Sequence, residues 1–393
     1  MTKYNFTRVL DRTDASSAKN DQNLVKQFLG LNYYDDTIPL WVADMDFECA
    51  PAISRALESR AKQGTLGYTM LTSAYQESII NWYGRRHNMK IEPEWIVFSN
   101  GTVSAIRNVI RAFTNEGDGV IIQPPVYYPF EVQVKDTNRK VIHNHLIRDD
   151  ANTYSIDIAD FEKKCQDPNN KLFIYCNPHN PTGNIWPEEV TQQLLTICAE
   201  NDVLFFSDEI HADLLRAGKS FTSALNLEHS DKTIIATAVN KTFNVAGLHI
   251  TNLVISNDEL KQKLNKYTGS IGMSPFSLDA TIAAYNEEEE WVTEVNQVID
   301  TNLEMMREFI AAHIPKIRFS VPDATYLAWL DFSAFGIEEK ELMELIANEA
   351  HLILERGSLF GEHGNGFIRI NVACPTEILK EALERLEKLL NSM

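Results

Sequence analysis

The sequence is poor in cysteine, with five in 393 residues at positions 49, 165, 176, 198 and 374. No two stand at a zinc or C-x-x-C redox spacing, and an odd number does not close a disulfide framework. Reduced thiols in a cytosol, hence a cytoplasmic protein, are the expectation. Long apolar runs are also missing, so no segment reads as a membrane span. The polar start, MTKYNFTRVLDRTD, carries no sign of a secretory signal. Basic residues are in deficit: 36 Lys and Arg face 55 Asp and Glu, a formal net charge of −19. With the basic residues scattered, that excess disfavours nucleic acid and anionic membrane as partners. There is no repeat of 20–50 residues, no G-x-S-x-G and no Walker loop. His143 and His145 share one face of an expected strand, but no third ligand is in view, so no metal is expected.

What is present fits a globular enzyme. Apolar residues make up 44% and charged residues 23%, and the length suggests two or three domains. Short apolar runs fall at residues 95–98, 119–122, 141–145, 172–175, 203–206 and 233–238. Helical patterns lie between them at 102–113, 127–138 and 187–200. Strands alternating with helices predict a parallel sheet covered on both faces, placed within residues 50–285. The acidic run Glu287 to Glu290 suits the first turn of a long helix. Along it Trp291, Val295, Val298, Asn302, Met305 and Phe309 fall near helical spacing. Extended runs at 318–321 and 324–330, a helix near 338–350, a strand at 367–372 and a last helix from Thr376 make residues 286–393 a smaller α+β domain. Residues 1–49 are expected to pack beside it.

In an open parallel sheet, ligands bind at the carboxyl ends of the strands. Phe98 is followed by Ser-Asn-Gly-Thr-Val-Ser, and Ile122 by Gln-Pro-Pro-Val-Tyr-Tyr-Pro. Tyr175 is followed by Cys-Asn-Pro-His-Asn-Pro-Thr-Gly, Phe206 by Ser-Asp-Glu-Ile-His, and Ala238 by Val-Asn-Lys-Thr-Phe. Five strand ends thus bring polar or aromatic groups to one edge. Taken singly they are ordinary: Asp208 reads as a helix N-cap, Asn180 as a turn residue and Lys241 as a surface lysine.

Taken together, NPTG at 180–183, SDEIH at 207–211 and NKTFNVAGL at 240–248 resemble the fold-type I pyridoxal 5'-phosphate (PLP) enzymes of the class I/II aminotransferase superfamily. WVADMDF at 41–47, GYTM at 67–70, PPVYYPF at 124–130, TYLAWLDFS at 325–333 and FIRINVAC at 367–374 are similar to the cystathionine β-lyase, or cysteine-S-conjugate β-lyase, branch. The resemblance covers nearly the whole chain. It implies an α/β fold: a large domain with a mostly parallel seven-stranded sheet between helices, plus a smaller α+β domain.

The resemblance also implies roles. Lys241 would link covalently to the cofactor aldehyde and later take the substrate Cα proton, work for a deprotonated amine. Asp208 would keep the pyridine nitrogen protonated. Asn180 would donate to the ring phenolate, His211 would sit at the ring edge, and Tyr127 would stack on the ring. Gly101, Thr102 and Val103 would cradle the phosphate at a helix N-terminus. Tyr68 would reach that phosphate from a neighbouring subunit, which makes the protein a homodimer with shared sites. Arg369 would grip the α-carboxylate of an amino-acid substrate with two parallel hydrogen bonds. Trp41, Val42 and Tyr326 would line the entrance. Two positions depart from the aminotransferase pattern. His249 replaces an arginine eight residues after the lysine, and Ala238 replaces a serine three before it. Thr237 or Asn240 would then serve the phosphate. The activity implied is β-elimination from an S-substituted L-cysteine. An aminotransferase is the alternative, and a PLP-binding regulatory protein with secondary lyase activity a second one.

Overall fold

The protein is described from a computed structural model covering residues 3–12, 16–150, 152–268 and 272–393. Its centre is a seven-stranded sheet of β1 (Ile96–Asn100), β2 (Gly119–Ile122), β3 (Lys140–His143), β4 (Asn170–Cys176), β5 (Leu204–Asp208), β6 (Thr233–Thr237) and β7 (Ile250–Val254). The spatial order is β1-β7-β6-β5-β4-β2-β3. All neighbours run parallel except β7, which is antiparallel to both β1 and β6.

Side chains alternate across a strand, and here both sets are buried. Phe173 and Tyr175 enter one core with Phe205, whereas Leu172 and Ile174 enter the opposite one with Phe206. That is why β4 and β5 read as unbroken apolar runs. On one face, the helix Thr102–Phe113 presents Ala105, Ile106, Val109 and Ile110 to the second core.

The six runs read from the sequence are strands to within two or three residues. β7 is not among them, because its ITNLV segment is half polar. Inside, partners within the fold take up these polar groups: Thr251 and Asn252 are fully buried, the Thr251 hydroxyl bonds that of Thr102 at 2.9 Å, and Asn252 Oδ1 accepts from the Tyr75 hydroxyl at 2.7 Å, leaving only its Nδ2 without a partner.

A smaller antiparallel sheet, β8 (Leu327–Asp331), β9 (Glu355–Arg356) and β10 (Phe367–Asn371), has the order β8-β10-β9. Two expectations are corrected here. Residues 318–321 form no strand. Only Arg318 bridges, to Asp331, and Pro322 then removes a backbone donor. The run from Ala324 becomes a strand only at Leu327, because Thr325 turns the chain at φ +71°. The long helix Glu289–His313 buries Trp291, Val295, Ile299, Asn302, Met306 and Ile310. The stripe is thus one residue away from the expected Val298, Met305 and Phe309, as the 3.6-residue period accumulates.

Segments near the N-terminus join this part of the molecule. Ile38–Pro39 pairs in parallel with Leu352–Ile353. Lys19, wholly buried, forms ion pairs with Asp46 at 2.6 Å and Asp44 at 3.7 Å, and Arg12 holds the same two carboxylates. This clamp fixes the Trp41–Ala43 segment, which walls the cavity described next. No described helix is long and apolar enough to cross a membrane.

Candidate active site

The C-terminal ends of β1, β2, β4, β5 and β6 open on one cavity of about 470 Å³. Asp208 is the last residue of β5, so the strand's own hydrogen bonding fixes it. Lys241 sits on the single helical turn Val239–Thr242 that follows β6. Arg369 comes from β10, and Gly101 to Val103 from the junction of β1 with its helix. All of these line the cavity, as do Asn180, His211 and Tyr127.

The Lys241 ammonium donates to the Ala43 carbonyl at 2.7 Å. Burial and then the positive Arg369 push its pKa down to about 8. A sizeable neutral fraction at physiological pH follows, which an ordinary lysine lacks. Asp208 moves the other way: burial raises it to about 7, against the pull of the Ile210 N–H and Lys241. His211 is pushed down to about 3 by burial and by the positive charges of Lys241 and Arg369. It is therefore neutral, and its buried Nδ1 has no hydrogen-bond partner.

Arg369 is held on several sides. One terminal nitrogen donates to Asn180 Oδ1 at 2.9 Å and the other to the Trp41 carbonyl at 3.2 Å. The guanidinium lies 4.8 Å from the Phe360 ring centre. It forms a buried ion pair with Glu355, its register partner across the β9–β10 ladder. Burial pushes the Glu355 carboxyl up, opposed by Arg369 and Lys241. Arg369 Nε remains without a partner.

The phosphate end has its own logic. The helix Thr102–Phe113 starts at Gly101, φ +87°, with no side-chain cap. Its first N–H groups have no intrahelical partner and favour an anion. Of the two extra donors expected there, Thr237 donates to the Asn252 carbonyl. Asn240 lines the cavity, with its oxygen and one amide hydrogen bonded to Ile250 and a second hydrogen remaining. His249 also borders the cavity, beside Gly101. Trp41 and Val42 line the cavity as expected, but Tyr326 is corrected to a supporting position. It is buried and donates to the Ala43 carbonyl at 2.9 Å, the same oxygen that holds Lys241.

Tyr68 is fully exposed and does not line the cavity of its own chain. Glu355, Ser104 and Tyr128 line it without having been singled out in the sequence. A Glu-Arg pair in LERGS looks like surface charge, and only strand register reveals its partner. Among the described residues, no three His, Cys, Asp or Glu side chains are grouped to hold a metal ion.

An uncapped helix start for a phosphate, a buried carboxylate for a ring nitrogen, a lysine of lowered pKa and buried nitrogens without partners fit PLP. The fold and this donor set define a fold-type I PLP enzyme, and the chain belongs to the aminotransferase class I and II family, whose model matches residues 35–386. Within that class it is 37% identical over 395 residues to cystathionine β-lyase PatB of Bacillus subtilis, spanning 98% of this chain and 100% of PatB. Cystalysin from Treponema denticola, which contains PLP, superposes with a TM-score of 0.94 at 35% identity over 99% of each chain. The PLP-bound C-S lyase of Staphylococcus hominis gives 0.92 at 33%, over 99% of this chain and 98% of that one.

Proposed function

We infer that this chain is a PLP-dependent carbon–sulfur lyase. It performs β-elimination on S-substituted L-cysteines of the cystathionine type: water is consumed, and a thiol, pyruvate and ammonium are formed. The observation that carries this reading is the convergence of Lys241, Asp208 and Arg369 in one cavity, in a chain similar over its length to carbon–sulfur lyases.

When bound, PLP supplies the electron sink that lets a Cα–H bond and a Cβ–S bond break in turn. The chain's residues do the rest. Lys241 holds the cofactor covalently and, once released by substrate, accepts the Cα proton at Nζ; its pKa of about 8 suits proton exchange near neutrality. Asp208 holds a proton on the ring nitrogen by charge and hydrogen bond. The N–H groups of the Gly101–Val103 turn hold the phosphate, with His249 at their side. Asn180, the neutral His211 and Tyr127 would hold the cofactor ring between them. Arg369 would bind the α-carboxylate and so orient the substrate Cα–H bond for Lys241. The exposed Tyr68 completes the phosphate site of a second copy, making the working unit a homodimer. Residues 50–285 form the cofactor-binding domain, and residues 286–393, joined by 1–49, the smaller one. Five unpaired cysteines support a cytoplasmic setting.

Purified holoenzyme given cystathionine and no keto acid should release pyruvate and homocysteine in equal amounts. No turnover until a keto acid is added would make it an aminotransferase instead. Binding of a protein partner by Lys241→Ala, with no turnover by the unmodified chain, would favour a regulatory protein.

A further inference from the structure

Lys241 stands on a single helical turn, and a single turn is a weak support. Forming one fixes several backbone angles for one hydrogen bond, here from the Phe243 N–H to the Val239 carbonyl at 3.1 Å. No side chain caps the turn at Ala238. The residues on either side of the lysine supply what the turn itself lacks. Asn240 is tied to the Ile250 backbone, donating to its carbonyl at 2.7 Å and accepting from its N–H at 3.3 Å. Thr242 is wholly buried, and its hydroxyl donates to Asp213 Oδ2 at 3.0 Å.

Asp213 is itself firmly held. An ionised carboxylate only accepts, so the groups around it all donate. Trp82 Nε1 shares Oδ2 with Thr242, at 3.0 Å. Arg86 Nε and His87 Nε2 meet Oδ1 at 3.0 and 2.8 Å. The Trp82 ring also packs on Phe243, the residue after Thr242, with ring centres 5.5 Å apart.

The same carboxylate belongs to the segment that brings Asp208 and His211 to the site. Asp208 ends β5. Beyond it the Ala212 N–H bonds the Glu209 carbonyl and the Leu214 N–H the His211 carbonyl, at 3.0 Å each, so Asp213 sits in a defined turn. Neither Asp213 nor Thr242 lines the cavity. The charges that bear on Lys241 are those of Arg369, Asp44, Asp208 and Glu355, so the contribution of Asp213 is mechanical. It matters because the ring nitrogen and the aldehyde of PLP stand at opposite ends of one rigid ring. Asp208 and Lys241 must therefore keep a fixed separation, and the Thr242–Asp213 bond fastens the segment of the first to the turn of the second.

We propose that Thr242 and Asp213 are positioning residues that set Lys241 relative to Asp208, so that its amine meets first the cofactor aldehyde and later the substrate Cα proton. The proposal rests on the lyase reading and deepens it.

The experiment compares the unmodified protein with Thr242→Val, which keeps nearly the same shape without the hydroxyl, and with Thr242→Ser, which keeps the hydroxyl. Asp213 retains its other donors in both. The rate at which empty protein captures PLP, read from the cofactor absorbance band, is measured at fixed pH beside kcat, KM and the urea midpoint. Thr242→Val should slow capture and lower kcat by about 10- to 100-fold, the scale of a displacement near 1 Å at a reacting group. KM should change little, since the lost alignment acts on the chemical step. Thr242→Ser should restore most of both rates. A Thr242→Val protein that loses stability yet keeps both rates, or a Thr242→Ser protein as slow as it, would overturn the proposal. Failure of the unmodified holoenzyme to release pyruvate from an S-substituted cysteine would instead refute the lyase reading, and the capture rates alone would then decide for or against the anchor.

Discussion

Replacing Arg369 by methionine tests the site in two separable ways. The guanidinium neutralises Glu355, which is 3% exposed. Removing it strands a buried carboxylate, a change that costs about 3–5 kcal/mol of stability. The double variant Arg369→Met/Glu355→Gln removes that charge, so only imperfectly paired polar groups remain and the cost falls to about 1–3 kcal/mol. Catalysis should not recover with stability. Two charge-assisted hydrogen bonds to the substrate carboxylate, at about 1.5–3 kcal/mol each, amount to a loss of roughly 100- to 10,000-fold in kcat/KM at 1.4 kcal/mol per decade. Urea unfolding followed by circular dichroism reads the first effect, and pyruvate release from an S-substituted cysteine reads the second. The single variant should be much less stable than the double variant, with both nearly inactive. If the double variant regained most of its kcat/KM, Arg369 would be a structural partner of Glu355 and not the carboxylate anchor.

Other perturbations give equally direct readings. Lys241→Ala should lose turnover and also the cofactor absorbance band that borohydride abolishes in the unmodified protein; a retained reducible band would place the covalent link elsewhere. The rate at which empty protein captures PLP should rise with pH and level off above about 8, where Lys241 has lost its proton; a rise continuing towards pH 10 would mean an unperturbed lysine. Asp213 is fully enclosed. It accepts from Trp82 Nε1 and Thr242 Oγ1 at 3.0 Å each and pairs with Arg86 and His87, contacts that hold its carboxyl down at about 2. Its depressed pKa contributes stability that is present above about pH 4 and lost as pH falls towards 2. Asp213→Ala, which strands buried donors beside Lys241, should therefore lower the urea midpoint sharply at pH 7, and an unchanged midpoint would show the network to be idle.

How far the sequence reveals this site depends on the range of the interaction concerned. Asp208, Lys241 and the Gly101–Val103 turn follow apolar strands, so local periodicity alone puts them at one sheet edge. SDEIH carries a further buried group, Glu209, which accepts from Ser223 at 2.6 Å and from the Ala224 N–H at 3.0 Å. Its place in the motif is structural. Glu355 escapes such a reading. It matters only because strand register sets it opposite Arg369. β7 is hidden for a related reason: its Asn252 looks solvent-facing until Tyr75, far away in sequence, supplies its partner. The stripe on the Glu289–His313 helix shows a milder form, where the period is legible but its phase is set by packing.

The opposed pKa shifts of Asp208 and Lys241 lead to a prediction about the cofactor as a source of stability. Without PLP, Asp208 has a folded pKa of about 7 against an ordinary value of 3.8. The folded state thus binds the extra proton between those values, and stability falls as pH rises from about 4 to 7. Three units at 1.36 kcal/mol each make that loss about 4 kcal/mol. Lys241 behaves in mirror image. Its folded pKa of about 8 lies below the ordinary 10.5, so its burden is present below 8 and is relieved as pH rises towards 10.5. Between about pH 7 and 8 the empty site holds both charges at greatest cost. PLP removes both burdens, because the lysine becomes part of a covalent link and the carboxylate gains a cationic ring partner. The difference in melting temperature between loaded and empty protein should therefore widen from pH 5.5 to about 7.5 and narrow again above pH 9. Scanning calorimetry of the two forms across that range checks it. A difference that stays constant with pH would mean that these two groups do not carry the cofactor's contribution to stability.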